Sequence, residues 1–571
     1  MTHPQSDKRV CLAFINGISA FVALWRGIRG DRVIVFESEP LLPFTRRLSQ
    51  WMLGLLIRSG FAEDWRKNLS ANEAQIAPNY VVKHPDMFRR LEPEMERRFR
   101  FSRLHEKCPE DFLMAYKHAV AAYTDNSLRE VSLLRLFETA GAEGNTRVIG
   151  VHKETLDSYQ TYFGHPTRAR ASLIVRPSML QNIGLTLMVG LITVLWCFSR
   201  LRFFPAKPEP VPLGADFIND PRYFTLLREV LATPKDALLI FRNKSMQTAA
   251  QGWKPCDGFR GYHKGSGILY VRQLPALLTE MFVDLVRLYR LGAAYPGALC
   301  YALIKIPYYR IMYRALTSRF KFRAFFGRDD YNTEHTIRTL EMRRAGVLSV
   351  GINHGLPVPE TVSGVWRYLD FDLYYVFGER LYRKYYKSTW SSKMKVKAVG
   401  SFGMPPDQLA LLDRPRPKDI IIFLSAASEL EVFLDWIGPI ARRFSDRKVY
   451  LKYRKNSIDI IDNLPANVIH VTTPGYELML KASYALSTPC TTVAAEAIQY
   501  GLTTFIWDAR DQLVDSYYRE FRDLCISSPE AFINRIEAIE NQSWKYPRDE
   551  YQGLVDLSGK SVFETIRADL R

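Results

Sequence analysis

The chain is poor in cysteine, with seven scattered along 571 residues and no Cys-x-x-Cys or Cys-x-x-His spacing. That excludes a zinc ribbon and a disulfide framework, and fits reduced thiols in a cytosolic setting. Clustered carboxylates are missing too. Asp329-Asp330 comes nearest to an Asp-x-Asp pair, but adjacent side chains point apart, so no metal site and no cofactor are expected. There is no repeat of fixed period and no low-complexity tract, which excludes solenoids and arrays. Acid is in deficit: 60 Asp and Glu stand against 78 Lys and Arg, a net charge of +18. Such a balance calls for an acidic partner, whether nucleic acid, phosphorylated substrate or anionic membrane. No nucleic-acid motif accompanies it, so nucleic acid is not expected. Lys8 and Arg9 precede the uncharged run Val10 to Trp25 as in a signal peptide. However, Asn16-Gly17 interrupts the run, and Arg26, Arg29 and Arg32 occupy the place of a cleavage site. Strand, turn and helix are expected there instead.

What is present is an α/β pattern in a chain too long for one core. Val10 to Ile15 and Val33 to Phe36 read as strands around a helix, a βαβ unit favouring a parallel sheet. From Ser49 to about Tyr123 the pattern is helical and heavily charged, an ordinary solvated face. Arg147 to Val151 is a further strand. Two segments then depart from the globular pattern. Ile183 to Phe198 is apolar on every side, and no acid falls between Arg168 and Lys207. A spanning helix needs about 20 apolar residues. This run is marginal, and basic residues on both flanks suit one anionic leaflet. A helix dipping into one leaflet is the preferred reading, with a buried core helix as the alternative. In Met281 to Arg323, the cations Lys305, Arg310, Arg314, Arg319, Lys321 and Arg323 alternate with Tyr, Ile, Leu and Phe, as at a headgroup-level surface.

Strands resume at Phe322 to Phe326, Val347 to Ile352, Leu373 to Phe377 and Val396 to Val399. The Pro-rich LLDRPRPK at Leu411 reads as a linker. Ile420 to Leu424 opens another α/β unit and leads into a small-residue turn from Ser425. Val449 to Leu451 runs into Lys452, Arg454 and Lys455. Tyr484 to Leu486 is a buried strand followed by the hydroxyl-rich turn Ser487 to Thr492, a helix from Val493, and Gly501 as its stop. This turn is either an anion cradle, because helix N-termini present unpaired N–H groups, or the cap of an ordinary helix with Glu496 solvated. Ser425, Arg454, Thr491, Thr492, Glu496 and His354 all fall at strand ends, in adjoining loops or at helix starts, where open α/β sheets bind ligands.

Four stretches in order resemble GT-B glycosyltransferases, most nearly the branch of CDP-glycerol glycerophosphotransferases and capsular polysaccharide transferases. They are the strand with Asn353-His354-Gly355, then LYYVFGERLYRKYY, then VKAVGSFGMPPD, and finally STPCTTVAAEAIQYG. Together they span roughly Phe322 to Asp508. The chain departs from the branch's usual Gln-His-Gly, and from its Lys-x-His-Pro strand end, which is Lys452-Tyr453-Arg454-Lys455 here. The resemblance implies two Rossmann-like domains facing across a cleft, with helical membrane-associating insertions. The corresponding division is 1–165 for an N-terminal Rossmann-like part, 166–321 for the insertion, 322–410 for the rest of the acceptor domain and 411–571 for the donor domain. It implies donor binding by Ser425, Lys452, Arg454, Lys455, Ser487, Thr491, Thr492 and Glu496. The threonines would hold a diphosphate, the cations would support the leaving group, and Glu496 would accept from ribose hydroxyls. His354 is the candidate acid–base, with Asp330 next. The expected function is transfer from a nucleotide-activated sugar or polyol donor to a lipid-linked or polysaccharide acceptor, in bacterial surface (capsule) polysaccharide synthesis. The expected location is the cytoplasmic face of the inner membrane, held peripherally or monotopically on an anionic surface. A sugar-nucleotide epimerase or hydrolase, or a non-catalytic assembly protein, would use the same fold.

Overall fold

The structure, a computed structural model, describes residues 10–15, 18–37, 43–65, 86–107, 109–139, 146–290, 295–327, 332–353, 355, 364–424, 430–453, 464–488, 492–507 and 517–571. Apolar runs bounded by turns become strands, and every pairing between them is parallel. The first sheet holds β1 (Val10–Ile15), β2 (Arg32–Glu37), β3 (Glu63–Asp64), β4 (Thr146–His152) and β5 (Arg170–Val175), in the order β3-β2-β1-β4-β5. Among the described residues β6 (Leu201–Arg202) pairs only with β10 (Leu269–Tyr270). The second sheet holds β7 (Glu209–Asp216), β8 (Ala237–Phe241), β9 (Arg260–His263), β11 (Phe320–Gly327), β12 (Leu348–Ile352), β13 (Leu373–Val376) and β14 (Lys395–Ala398). Its order is β14-β13-β12-β11-β7-β8-β9. The third holds β15 (Ile420–Leu424), β16 (Val449–Tyr453), β17 (Val468–His470), β18 (Tyr484–Ser487), β19 (Thr503–Trp507) and β20 (Cys525–Ile526), in the order β17-β16-β15-β18-β19-β20.

The α/β architecture with parallel sheets is as expected, but the chain is divided among the sheets differently. β1 and β11, expected in one Rossmann-like domain, lie in separate sheets. The stretch 166–321, expected as a helical insertion, contributes β5 to the first sheet and β7, β8 and β9 to the second. Local periodicity marks strands; which sheet a strand joins is decided by pairing across long separations. The last helix, Val562–Leu570, also leaves the third unit. It buries Val562, Phe563 and Ile566 in the core of the second, and Asp569 accepts from the Tyr375 hydroxyl at 2.8 Å. A shared apolar core joins the first and second units, with Phe14, Tyr116 and Val148 clustering with Leu303, Ile337 and Tyr368. Another joins the second and third, with Tyr374, Tyr386 and Trp390 clustering with Ala495, Ile498 and Tyr551.

The basic aromatic segment lies inside. The helix Gly297–Arg319 buries one side chain after another, Arg310 included. Arg310 donates from Nε to Glu341 at 3.1 Å and from Nη2 to Glu280 at 3.0 Å, and also pairs with Asp284. Arg314 holds Glu341 at 2.8 Å and Glu280 at 2.6 Å. The two arginines are one turn apart on one helix face and meet acids on two neighbouring helices, so they do not form a lipid-facing surface. Lys321 and Arg323 are exposed.

The helix Met179–Arg200 is long and apolar enough to cross a membrane by length and composition, yet it lies along the protein. Its inner side buries Asn182, Leu185, Thr193 and Cys197. The Tyr289 hydroxyl fixes it by donating to the Asn182 carbonyl at 3.0 Å. Its outer side exposes Leu180, Ile183, Leu187, Leu191, Leu195 and Phe198, and Phe203 and Phe204 continue that exposure beyond it.

Candidate functional site between two sheets

Strand order locates the crevices. In the second sheet the direction of winding reverses between β7 and β11, and in the third between β15 and β18. Ligands of open parallel sheets bind at the carboxyl ends flanking such a reversal. In the third unit Ser425 follows β15, and Thr488 to Thr492 follow β18. In the second unit the segment containing Asp329 and Asp330 follows β11 directly. His354, Asp330, Ser425, Arg454, Lys455 and Thr491 lie outside the described residues; their described neighbours are Asn353, Gly355, Leu424, Tyr453 and Thr492.

Those neighbours show the two carboxyl edges facing each other. A β-carbon on Gly355, just past β12, would lie 3.0 Å from the Thr492 hydroxyl oxygen. A side chain at position 355 would therefore crowd Thr492, and glycine permits the approach. Asn353 is buried, and its side-chain oxygen accepts from the Gly355 N–H at 3.1 Å. Beyond β14, the Ser401 hydroxyl donates to Glu496 Oε1 at 2.8 Å, and the Ser401 N–H donates to Gln499 Oε1 at 2.6 Å. The Met404 N–H donates to the Tyr500 hydroxyl at 3.1 Å. One side of the helix Val493–Gln499 and the residue after it thus meet the loop Ser401 to Met404 of the second unit.

Glu496 is central to this contact. Both of its protein contacts fall on Oε1, and Oε2 has no hydrogen bond among the described residues. The second contact is Arg222, whose Nη1 lies 3.9 Å away. Arg222 stands in the first turn after β7, behind the cap Asp220, and grips Asp220 with Nε at 3.3 Å and Nη2 at 3.1 Å. Burial works against its charge, but Asp220, Glu496 and Tyr500 outweigh burial and hold its pKa above the usual arginine value. Sequence reading missed Arg222. Its only local signal is the Asp-Pro-Arg helix start, and its relation to Glu496 exists only in three dimensions.

The other expected donor residues are placed as follows. Thr492 precedes the helix with helical backbone angles. Ser487 ends β18 fully buried, its hydroxyl donating to the Thr488 carbonyl at 3.2 Å. Lys452 lies in β16 and donates to the Thr472 carbonyl at 2.8 Å. Among the described residues no group of three His, Cys, Asp or Glu side chains is placed to hold a metal ion.

Described residues that follow β11 and β12 are held from the first unit. His118, on the helix Glu110–Thr139, bonds the Thr333 hydroxyl at 3.2 Å and the Val365 carbonyl at 2.9 Å. Asp125 of the same helix accepts from the Gly364 N–H at 3.0 Å. Thr333 closes the segment containing Asp330, and Gly364 closes the one that begins at His354. His335 stacks edge-on to His118 at 4.8 Å and is fully buried. Burial, then His118 and Arg338, push its pKa well below the ordinary histidine value.

No family model matches the sequence, and no curated protein matches it. Among solved structures, the wall teichoic acid polymerase TagF is similar at TM-score 0.38 and 10% identity, over 69% of this chain and 97% of that one. A UDP-N-acetylglucosamine 2-epimerase gives 0.33 and 14%, over 61% and 90%. A variant of Os79 from O. sativa in complex with UDP gives 0.35 and 14%, over 63% and 100%. At such scores and identities the chain's own residues have to carry what is said of its function.

Proposed function

We propose that the chain is a GT-B-type transferase that moves a sugar or polyol phosphate from a nucleotide-activated donor to a lipid-linked or polysaccharide acceptor in bacterial surface polysaccharide synthesis. The observation that carries this reading is the meeting of two sheet reversals, with Gly355 against Thr492 and Ser401 against Glu496. Two open sheets that present their ligand-binding edges to one another make a two-substrate cleft. The Thr492 hydroxyl would donate to a donor phosphate oxygen, and Arg454 and Lys455 would add countercharge as the phosphate leaves. Glu496 Oε2 would accept a ribose hydroxyl while Oε1 stays on Ser401. His354, on the second unit's edge, would take the acceptor's proton, with Asp330 as the alternative base.

The same reading places the protein at the cytoplasmic face of the inner membrane, attached by the outer side of Met179–Arg200. A helix whose inner side is packed into the protein offers a lipid surface only its outer side, so attachment would be monotopic.

Calorimetry with CDP, UDP, GDP and ADP tests the donor site. One of them should bind, and Thr492→Val should weaken that binding by about 1.5–3 kcal/mol, tenfold or more, through loss of a hydrogen bond to a charged group. Failure of all four to bind the wild-type chain would overturn the reading. Donor consumption without any acceptor would replace it with the epimerase or hydrolase alternative.

A further inference from the structure

We propose that the paired outer faces of the helices Ile18–Ile28 and Pro43–Arg58 form a second docking surface for an anionic lipid bilayer, a partner resting on the membrane attachment proposed above. Both helices cover the same side of the first sheet. Ala20, Ala23 and Leu56 pack with Cys11, Ala13, Val33 and Val35, and the core shared with the second unit lies on the sheet's other side.

A helix covering a sheet normally turns its large apolar side chains inward and its polar ones outward. The first helix reverses the sizes. Inward it presents Ser19, Ala20 and Ala23. Outward, at steps of three, four and three, it presents Ile18, Phe21, Trp25 and Ile28, all more than half exposed. Trp51, 58% exposed, leads the outer side of the second helix, with Leu48 and Leu55 beside it. Gly27 brings Phe61 alongside, since a β-carbon there would sit 2.3 Å from the Phe61 carbonyl oxygen. Beyond Val283 the only large apolar side chains exposed among the described residues are Leu348, Leu434 and Ile469. The exposure is therefore localised, and a concentration of exposed apolar side chains of this kind marks an interaction surface.

Charge selects a lipid surface as the occupant. Neither helix contains an acidic residue, and their ionic side chains are all arginine. The Arg29 guanidinium lies over the Trp25 ring at 4.5 Å. Tryptophan beside arginine suits the headgroup level, where the ring is half wet and the cation meets phosphate.

The test uses the full chain with vesicles of phosphatidylglycerol and phosphatidylethanolamine, and with phosphatidylcholine as the neutral case. F21E/W51E should lower affinity for the anionic vesicles by roughly tenfold or more. W25F/W51F keeps the apolar face and should abolish most of the quenching of tryptophan fluorescence by brominated lipids. L187E/L191E tests the helix Met179–Arg200 separately. If that variant loses binding while F21E/W51E, with an unchanged melting curve, does not, the second surface is overturned and the first attachment stands. Unchanged quenching in W25F/W51F also overturns it. Wild-type chain that ignores anionic vesicles overturns both. A wild-type dimer that F21E/W51E converts to monomer, with vesicle binding intact, would mean that a second copy covers the face instead.

Discussion

Replacing Arg310 with methionine should destabilise the fold without acting at a lipid surface. Arg310 is 7% exposed and lies between Asp284 and Glu341, both buried, with Glu280 at the edge. Methionine fills much of the same volume but leaves the carboxylates short of a cation. Breaking a buried pair from one side costs about 3–5 kcal/mol. Here the lower end applies, because Arg287 still reaches Asp284 at 3.0 Å, and Arg314 and Arg344 still reach Glu341 at 2.8 and 3.0 Å. The second substitution Asp284→Leu removes the acid that lost most. The double variant should therefore recover more than half of the loss, since an apolar pair often replaces a buried ion pair at little cost. Urea denaturation with hydrogen exchange across Gly297–Arg319 reads both effects. An R310M chain as stable as wild type, or a double variant no better than the single, would refute the buried network. Weaker vesicle binding by R310M at unchanged stability would restore the lipid-facing reading of this helix.

Three further outcomes follow from the site. His335 stays neutral when folded because burial, His118 and Arg338 depress its pKa. The unfolded chain gains that proton below about pH 6.5, so stability should hold above that pH and fall by about 1.4 kcal/mol per unit beneath it, until the depressed folded pKa is reached; denaturation between pH 5 and 8 should show this slope flattened in H335Q. At 3.9 Å, with its arginine 39% exposed, the Arg222–Glu496 pair should contribute less than about 1 kcal/mol; R222M should melt close to wild type, whereas E496A should weaken nucleotide binding roughly tenfold by calorimetry. H118A removes the ties to Thr333 and Val365, so the backbone at those two residues should exchange faster and, on the proposed function, turnover should fall while nucleotide affinity is kept; equal losses of both would refute the separation of roles.

The third sheet is legible in the sequence because its strands are short apolar runs between punctuating residues. Ile420 to Leu424 and Tyr484 to Leu486 reappear as β15 and β18 within a residue, and the turn after Tyr484 to Leu486 falls at the reversal of strand order. β7 was harder to see, since EPVPLGAD carries two prolines and two acids and matches no strand template. Those prolines occupy the half of the strand before Leu213, where β8 pairing begins. Arg310 and Arg314 misled for a different reason: arginine alternating with tyrosine and leucine looks the same whether lipid or acid lies opposite. A signal existed in Glu280 and Asp284, themselves one helical turn apart and matching the arginine spacing, but it meant something only once the two helices were known to be neighbours. Arg222 had no such counterpart nearby in the chain.

The first unit gives these separate findings a common mechanical basis. One side of its sheet is covered by the helices whose outer faces are apolar and rich in arginine. The other packs against Glu110–Thr139, through clusters that place Phe14, Phe36 and Val148 with Tyr116, Val120 and Phe137. That helix in turn holds Thr333, Gly364 and Val365, on the side that the proposed function assigns to the acceptor. The proposed nucleotide edge is built elsewhere, on the third sheet, and meets the second unit through Ser401, Met404, Arg222 and Gly355, and also through Glu520, which holds Arg380 at 2.8 Å and Tyr385 at 3.0 Å. A surface that fixes the first unit against a bilayer would therefore orient the proposed acceptor side directly, while the proposed donor side follows through polar contacts and a shared apolar core with the second unit. An acceptor delivered from a membrane needs a fixed approach, and a soluble nucleotide needs room to enter and leave.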